Sequence, residues 1–255
     1  MLLAIDVGNS NIVLGVFDEG GKLLFISRLV TDQNKTEAQY AIDFRDILRL
    51  YGAEEKKITS SILSSVSPPM TTIISRAVRL LFGEKPMVVG PGIKTGLHIA
   101  IDNPAQLGSD MVVTAVAATA SYPRPLVVID MGTATTVSYI DKDGVYEGCA
   151  IVAGVRTSLG ALTSRTAQLT SISIEAPASA VGKNTVDSMR SGVVFGTAAM
   201  LDGMIDRIES EKGPVATVIA TGGMAPEIVP HCRRKVLHDP SLLMNGLYLL
   251  YQKNR

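Results

Sequence analysis

The chain has 255 residues, which is enough for one large domain or for two medium ones with hydrophobic cores. Its 24 basic residues balance 24 acidic ones, so its charge gives no support for binding to nucleic acid or to a membrane surface. Two cysteines and three histidines form no ligand spacing, so we expect no zinc site, and the scarcity of cysteine favours a reducing, cytoplasmic location.

The sequence predicts neither a membrane span nor a secretion signal. Its most apolar stretch, residues 111–120, is shorter than the about 20 residues that cross a bilayer. Residues 1–5 carry no basic residue and run directly into an aspartate, so we expect no signal peptide.

The first half begins with apolar runs that are typical of β-strands. The segment "DEGGK" at 18–22 predicts a hairpin turn between two of them, so the first three strands should form an antiparallel meander. The predicted order is strands at 2–6, 11–17 and 23–30, a helix at 36–51, a strand at 58–66, a helix at 67–82 and a strand at 86–89.

The second half repeats this order after a predicted loop at 90–107 and a helix at 109–121. It is predicted to contain strands at 126–130, 135–141 and 146–155, helices at 157–168 and 187–211, strands at 215–223 and 235–239, and a terminal helix at 240–252. This duplication predicts an α/β protein of two similar halves. Two such halves can face each other across a cleft, and each would bring the same turn to it.

The first of these turns has the composition of a phosphate-binding turn. Asp6 ends a buried strand, and Gly8 can adopt a positive φ that lets a ligand approach the backbone. Asn9, Ser10 and Asn11 are short polar residues that tolerate turn geometry, and successive backbone N–H groups in such a turn can form an anion-binding nest. A carboxylate would repel a phosphate unless a cation lay between them, so Asp6 indicates Mg²⁺.

The second turn repeats the pattern with Asp130, Gly132, Thr133 and Thr135. Either turn alone could be a simple hairpin connection. Because two copies follow buried strands in the same way, the pair favours a clamp for a polyphosphate.

A third glycine-rich turn follows an apolar strand late in the chain. Gly222 and Gly223 lack side chains, so a flat adenine could lie against their backbone. The sequence contains neither GxxxxGK[ST] nor GxGxxG, which gives no support for a P-loop or a Rossmann site.

Five motifs extend this pattern over nearly the whole chain. They are "DVGNSN" at 6–11, "NPAQLGSD" at 103–110, "DMGTATT" at 130–136, "AGVRTSLGALTSRTAQL" at 153–169 and "GKNTVDSMRSG" at 182–192. In this order they resemble the type III pantothenate kinases of the actin, sugar-kinase and Hsp70 ATPase superfamily. The resemblance implies two actin-like (ribonuclease H-like) domains at 1–108 and 109–255, each with a mixed sheet, and a nucleotide cleft between them.

The resemblance also implies an activity and its requirements. Type III pantothenate kinases transfer the γ-phosphate of ATP to the primary hydroxyl of pantothenate, the first step of coenzyme A synthesis. They are similar to one another in being cytosolic homodimers that need Mg²⁺ and a monovalent cation, K⁺ or NH₄⁺.

The resemblance assigns roles to residues as follows. The ATP contacts fall on Asp6, Val7, Gly8, Asn9, Ser10, Asn11, Ile12, Val13 and Thr133. The catalytic base is Asp110 and the ligand of the monovalent cation is Asp130. The pantothenate contacts fall on Gly108, Ser109, Asp110, Met111 and Thr185.

Each of these polar side chains also has a purely structural interpretation. Asp110 begins the predicted helix 109–121, where the helix dipole would favour its ionised form. Asp130 could bond to its own turn, and Thr185 could cap a helix with Asp187 in its first turn.

The chain departs from the family pattern at three points. Met111 replaces an arginine after the Gly-x-Asp, Ile101 stands where a tyrosine is usual, and Ala153-Gly154 replaces Pro-Gly. Methionine cannot replace the positively charged, bidentate guanidinium group of that arginine, so two alternatives to a pantothenate kinase stay open. One is a kinase of the same lineage with a different acceptor. The other is a non-catalytic, nucleotide-binding regulatory homologue, which the presence of both Asp110 and Asp130 disfavours.

Overall fold

A computed structural model describes residues 1–166 and 169–255 of the chain. It contains one five-stranded and one six-stranded mixed sheet, and the chain divides into two compact units. The first unit comprises Met1–Gly96, Asn103–Ala117 and Ser241–Arg255, and the second comprises Leu97–Asp102 and Ala118–Pro240.

The sheet of the first unit has the strand order β3-β2-β1-β4-β5. Its strands are β1 Leu2–Val7, β2 Asn11–Phe17, β3 Leu23–Val30, β4 Ser60–Ser65 and β5 Met87–Val88. The first three strands are antiparallel neighbours, whereas β4 runs parallel to β1 and to β5.

Four helices accompany this sheet. They are α1 Glu37–Leu50, α2 Pro68–Phe82, α3 Ser109–Ser121 and α7 Leu242–Asn254, and the division between the units falls inside α3. Thr36 starts α1 with a capping box to Gln39, and Pro68 stands at the first position of α2, where a missing N–H costs nothing. The left-handed Gly83 ends α2.

Side chains of β1 alternate between the two faces of the sheet. Leu3, Ile5 and Val7 form a core with α1 and α2. Asp6 therefore lies on the opposite face, which α7 covers. There a Cβ on Gly15 would come within 2.7 Å of the Met244 sulfur of α7.

The sheet of the second unit has the order β11-β10-β7-β8-β9-β6. Its strands are β6 His98–Ile99, β7 Leu126–Met131, β8 Ala134–Ile140, β9 Val145–Ala153, β10 Thr217–Thr221 and β11 Leu237–His238. Its helices are α4 Val155–Ser164, α5 Thr185–Lys212 and α6 Ala225–Ile228. Buried side chains of β7, β8 and β10 form its core with α5 and α6. Short 3-10 turns lie at Glu55–Lys57, Pro104–Gln106 and Val229–His231.

The predicted duplication is confirmed at the level of topology. Each sheet contains an antiparallel three-stranded meander, and parallel strands follow on the outer side of the first strand of that meander. The predicted loop at 90–107 was wrong at one place, because β6 adds a strand at the edge of the second sheet, parallel to β9.

Most element boundaries agree with the prediction within two residues, and the largest differences are at helix ends. The helix predicted at 157–168 begins earlier, at Val155, and α4 ends at Ser164. The last two residues of the predicted helix lie outside the described residues.

The packing divides the chain differently from the predicted boundary after residue 108. The terminal helix α7 packs on β1 and β4, so it belongs to the first unit. A Cβ on Gly246 of α7 would lie 2.1 Å from the carbonyl oxygen of Val113, so α7 and the first part of α3 are in close contact. Among the described residues, no helix combines the length and apolar character needed to cross a membrane.

Candidate active site

The first polar turn connects β1 to β2. Val7 pairs with Ile12, so four residues form the connection, and the N–H of Gly8 donates to the carbonyl of Asn11 at 2.9 Å. Thr31, just beyond β3, braces the turn: its hydroxyl donates to the Gly8 carbonyl at 2.8 Å. The turn is therefore fixed in shape before any ligand binds.

The residues assigned to ATP binding in this segment differ in what they can offer. Asp6 is buried, with 7% of its surface exposed, whereas Asn9, Ser10 and Asn11 are exposed. Val7 and Ile12 lie in the core, so only their backbone groups could meet a nucleotide.

The predicted positive φ of Gly8 was wrong, because the backbone of Gly8 is not left-handed. A Cβ at this position would lie 3.1 Å from the Asn11 carbonyl oxygen. The glycine is thus favoured by the tightness of the turn rather than by its backbone angle.

The second group of polar residues in the first unit lies at the start of α3. The Ser109 hydroxyl lies 3.0 Å from the Ser64 hydroxyl and donates to the Ser65 carbonyl at 3.1 Å. Ser64 pairs with Asp6 across the parallel β1–β4 ladder. The structure therefore ties the Gly108–Met111 segment to the strand beside Asp6.

The carboxylate of Asp110 has a defined position. Its Oδ1 accepts a hydrogen bond from the N–H of Met111 at 2.9 Å. A Cβ on Gly108 would lie 2.5 Å from the same oxygen, so the carboxylate lies directly over Gly108. This contact explains why a residue without a side chain precedes Ser109 and Asp110.

Burial of the carboxyl group raises the pKa of Asp110, and the hydrogen bond from Met111 opposes this effect without cancelling it. The backbone N–H groups at the helix N-terminus do favour the ionised form, as predicted, but desolvation outweighs them and the net pKa is raised. A carboxylate with an increased proton affinity is suited to accept a proton from an alcohol.

In the second unit, Asp130 is the last residue but one of β7 and lies beside the glycine-rich turn that follows β10. Thr221 pairs with Asp130, and Gly222 has φ +94°. A Cβ on Gly222 would lie 2.7 Å from Asp130 Oδ1 and 2.6 Å from the N atom of Met131. Gly222 is thus brought against Asp130, where a residue without a side chain is needed.

The second polar turn is one residue shorter than the first. Met131 pairs with Thr135, and the N–H of Gly132 donates to the Ala134 carbonyl at 3.0 Å. The Thr133 carbonyl accepts from the N–H of Gly154 at 3.0 Å and from the Thr157 hydroxyl at 2.7 Å. These bonds join the turn to the first turn of α4.

Thr185 lies in a different part of the second unit. It is exposed and lines a mainly apolar groove of about 890 Å³ between α4 and α5. The alternative that Thr185 caps the helix was wrong, since Asn184 is the N-cap and accepts from the N–H of Asp187 at 2.9 Å. The Thr185 hydroxyl is not needed for that cap.

Sequence reasoning missed three parts of these sites. Ser64 is fully buried, and its segment contains several serines with no pattern that distinguishes it. Thr157 and Gly154 were overlooked as supports of the second turn. For Gly154 the signal was the glycine that the chain keeps where the family pattern has Pro-Gly, and a Cβ there would lie 2.2 Å from the Gly132 carbonyl oxygen.

The residues present fit the cations that a phosphate-transferring site requires. Mg²⁺ is commonly held by one or two carboxylates together with substrate phosphates, and Asp6 supplies one carboxylate beside a turn of backbone N–H groups. In the second unit, Asp130 offers a carboxylate of its own beside Gly222.

Solved structures share this architecture. The activator of the 2-hydroxyisocaproyl-CoA dehydratase from Clostridium difficile, with bound ADPNP, superposes with TM-score 0.58 at 10% identity, covering 98% of this chain and 93% of that one. A candidate 2-dehydro-3-deoxygalactonokinase from Sinorhizobium meliloti gives TM-score 0.59 at 12% identity, covering 99% and 96%. The chain has the fold of the actin-like ATPases and sugar kinases, as predicted.

Sequence comparison narrows this class to one family. A family model described as type III pantothenate kinase matches residues 2–207. Two relatives with that name, from Bacillus cytotoxicus and Geotalea daltonii, are each 43% identical over the whole chain, covering 97% and 99% of their own lengths. The chain belongs to the type III pantothenate kinase family and is a kinase, which confirms the resemblance.

Proposed function

We propose that this kinase transfers the γ-phosphate of ATP to the primary hydroxyl of pantothenate, the first step of coenzyme A synthesis. Membership of the type III pantothenate kinase family supports the reaction. The observation that carries the chemistry is the Asp110 carboxylate, held over Gly108 at the start of α3 with an increased proton affinity.

In the proposed reaction the hydroxyl oxygen of pantothenate attacks the γ-phosphorus. The new oxygen–phosphorus bond forms as the bond between that phosphorus and the β,γ-bridging oxygen breaks, and ADP leaves. Asp110 orients the hydroxyl and takes its proton as the bond forms. Positioning and charge neutralisation supply most of the catalysis in such a transfer.

The ATP phosphates are assigned to the two polar turns that follow Asp6 and Asp130. Backbone N–H groups between Asp6 and Val13, together with the exposed polar side chains of the first turn, would contact the nucleotide, as would Thr133 in the second turn. Asp6 would hold Mg²⁺, which neutralises phosphate charge when it is bound. The braces from Thr31 and Thr157 support this assignment, because a fixed turn loses little entropy on binding.

Asp130 is proposed to hold a monovalent cation, K⁺ or NH₄⁺. Its carboxylate lies where Gly222 brings backbone within van der Waals distance, and carboxylate and carbonyl oxygens suit such hard cations. A fixed positive charge there would stabilise negative charge that develops during transfer.

The acceptor contacts are proposed to be Gly108, Ser109, Asp110, Met111 and Thr185. The first four form one segment at the start of α3, and Thr185 lines the groove between α4 and α5. Met111 already uses its N–H to hold Asp110, so its backbone serves the base while its side chain gives the acceptor site an apolar contact.

The protein is further proposed to act as a cytoplasmic homodimer. The support for the dimer is a set of four exposed apolar residues in the second unit, of which Leu162 lines the groove. The other three are Ile151, Val181 and Val186. Apolar patches of this kind mark interaction surfaces on many proteins.

The test is an assay of the purified protein with labelled ATP, Mg²⁺ and K⁺, with and without pantothenate. We expect phosphopantothenate only when pantothenate is present, and a lower rate when Na⁺ replaces K⁺. ATP binding without any product would refute the proposed reaction. A rate that does not change between K⁺ and Na⁺ would remove Asp130 from its assigned role.

A kinase with a shifted acceptor is the second candidate, because Met111 and Ile101 both make the predicted acceptor side more apolar than the family pattern. The same assay distinguishes it when pantothenate is replaced by analogues with a longer apolar tail. A higher kcat/KM for an analogue than for pantothenate would favour the shifted acceptor.

A further inference from the structure

The buried polar groups at the carboxyl end of β4 form a hydrogen-bond network that has no role in the proposed reaction so far. Ser64 is fully buried, with 0% exposure, and it stands beside Asp6 in the parallel ladder. Because registered partners in a parallel pair project from the same face, Ser64 and Asp6 point to the face that α7 covers. A buried hydroxyl on that face needs a hydrogen-bond partner.

Which hydroxyl donates in this network follows from the number of protons that each serine has. A serine hydroxyl has one proton, and the proton of Ser109 goes to the carbonyl of Ser65. The Ser64 hydroxyl must then donate to the Ser109 oxygen, 3.0 Å away. Ser109 is thus held by two bonds, one to the side chain and one to the backbone of β4.

The end of β4, which accepts the hydrogen bond from Ser109, is itself held by hydrogen bonds. The Ser65 hydroxyl donates to the Ser67 carbonyl at 3.1 Å and accepts from the Ser67 N–H at 3.2 Å. The N–H of Val66 donates to the Val7 carbonyl at 3.1 Å. The end of β4 therefore cannot rotate its carbonyl away from Ser109 without breaking local bonds.

We infer that Ser64 is a positioning residue: by anchoring Ser109 it sets the place of the Asp110 carboxylate relative to the strand that carries Asp6. Asp110 follows Ser109 directly, and its carboxylate accepts from the N–H of Met111 within the same helical turn. The attachment of that turn to the sheet comes from Ser109. This inference rests on the proposed role of Asp110 as the base.

The test is a double-mutant cycle with Ser64→Ala and Ser109→Ala, measured as kcat and as KM for each substrate. We expect Ser64→Ala to lower kcat about 3- to 10-fold, the range that one neutral hydrogen bond supports, with KM for ATP unchanged. The double variant should be no slower than the slower single variant, since both break the same connection. Ser64→Cys, which keeps a weak donor, should fall between Ser64→Ala and the unmodified protein.

A matched control is Ser138→Ala in the second unit, which breaks a buried Ser138–Tyr146 hydroxyl bond of the same 3.0 Å length. It should lower the thermal midpoint without lowering kcat. An unchanged kcat in a folded Ser64→Ala variant, additive losses in the cycle, or an equal loss of kcat in the control would each overturn the inference. If the unmodified protein forms phosphopantothenate while Ser64→Ala matches it, the positioning role alone fails.

Discussion

Asp110 is subject to two opposing effects at the level of one residue. Removal from water raises its pKa, while the N–H of Met111 stabilises its charged form. The first effect is larger, so the carboxyl group binds a proton more tightly than an exposed aspartate does. This property is useful in a base that must remove a proton from an alcohol during the transfer.

Asp110→Asn is expected to lower kcat about 10²- to 10⁴-fold, the range of one general base, and to leave ATP affinity nearly unchanged. The amide keeps the shape of the side chain and can still accept from Met111, so the loss isolates the proton transfer. Steady-state kinetics and calorimetric titration with a non-hydrolysable ATP analogue measure the two quantities. A variant that turns over at the normal rate would remove Asp110 from the role of base.

The same substitution should make the folded state more stable at neutral pH. Because the folded state raises the pKa of Asp110, it binds the proton more tightly than the unfolded chain, and stability falls as pH rises through the folded pKa. Asparagine does not ionise, so it does not lose this part of the folding free energy. Thermal unfolding should therefore show a higher midpoint for Asp110→Asn at pH 7, and the difference should disappear below the pKa of an unfolded aspartate.

At the level of elements, the two polar turns share a strand-turn-strand plan but are braced differently. The four-residue turn after β1 is held by Thr31 at the end of β3. The three-residue turn after β7 is held by the first turn of α4, through Gly154 and Thr157. A helix start beside the second turn also adds backbone N–H groups that favour an anion.

Gly154→Ala is expected to weaken ATP binding about tenfold and to destabilise the protein by about 1–3 kcal/mol, because the new Cβ would meet backbone oxygens that cannot move aside. Gly160→Ala in the same helix is the matched control, since nothing lies within 4 Å of a Cβ there. That substitution should stabilise α4 by about 0.5–1 kcal/mol. Urea unfolding and ATP titration of both variants make the comparison; equal effects would show that the turn does not depend on Gly154.

At the level of the whole molecule, the duplicated topology accounts for the repeated sequence pattern. Each sheet places the end of its first strand next to a parallel neighbour, β4 in the first unit and β10 in the second. The neighbours provide different chemistry: β4 offers the Ser64 hydroxyl, whereas β10 is followed by the bare backbone of Gly222. Two copies of one architecture can therefore take different roles in one reaction.

The proposed homodimer predicts that Ile151→Glu will produce a folded monomer. Ile151 is 64% exposed on β9 of the second unit, and a charge there would have to be desolvated in an interface. Analytical ultracentrifugation measures the state, and circular dichroism checks the fold. Leu50→Glu on α1, where the leucine is 80% exposed in the first unit, is the control that should remain dimeric. A dimeric Ile151→Glu would exclude this face, and a monomeric unmodified protein would exclude the dimer itself.

The sequence by itself determined the strands, the helices and their duplication. The apolar runs of β1 and β2, the Ser-Pro start of α2 and the Asp-x-Gly turns are local patterns, and local propensity with hydrophobic burial fixes such elements. It also predicted a phosphate-binding role for the turns that carry Asp6 and Asp130, and the family resemblance added Asp110 as the expected base.

Only the tertiary structure decided which segments support those residues. Ser64 and Ser109 are 45 residues apart, and Val113 meets Gly246 across about half of the chain, so no short sequence window contains both partners. The sign of the Asp110 pKa shift was decided in the same way, because burial depends on what packs around the carboxyl group rather than on its neighbours in sequence. Secondary structure depends mainly on nearby residues, whereas desolvation and long-range hydrogen bonds exist only once the sheet and its helices have packed together.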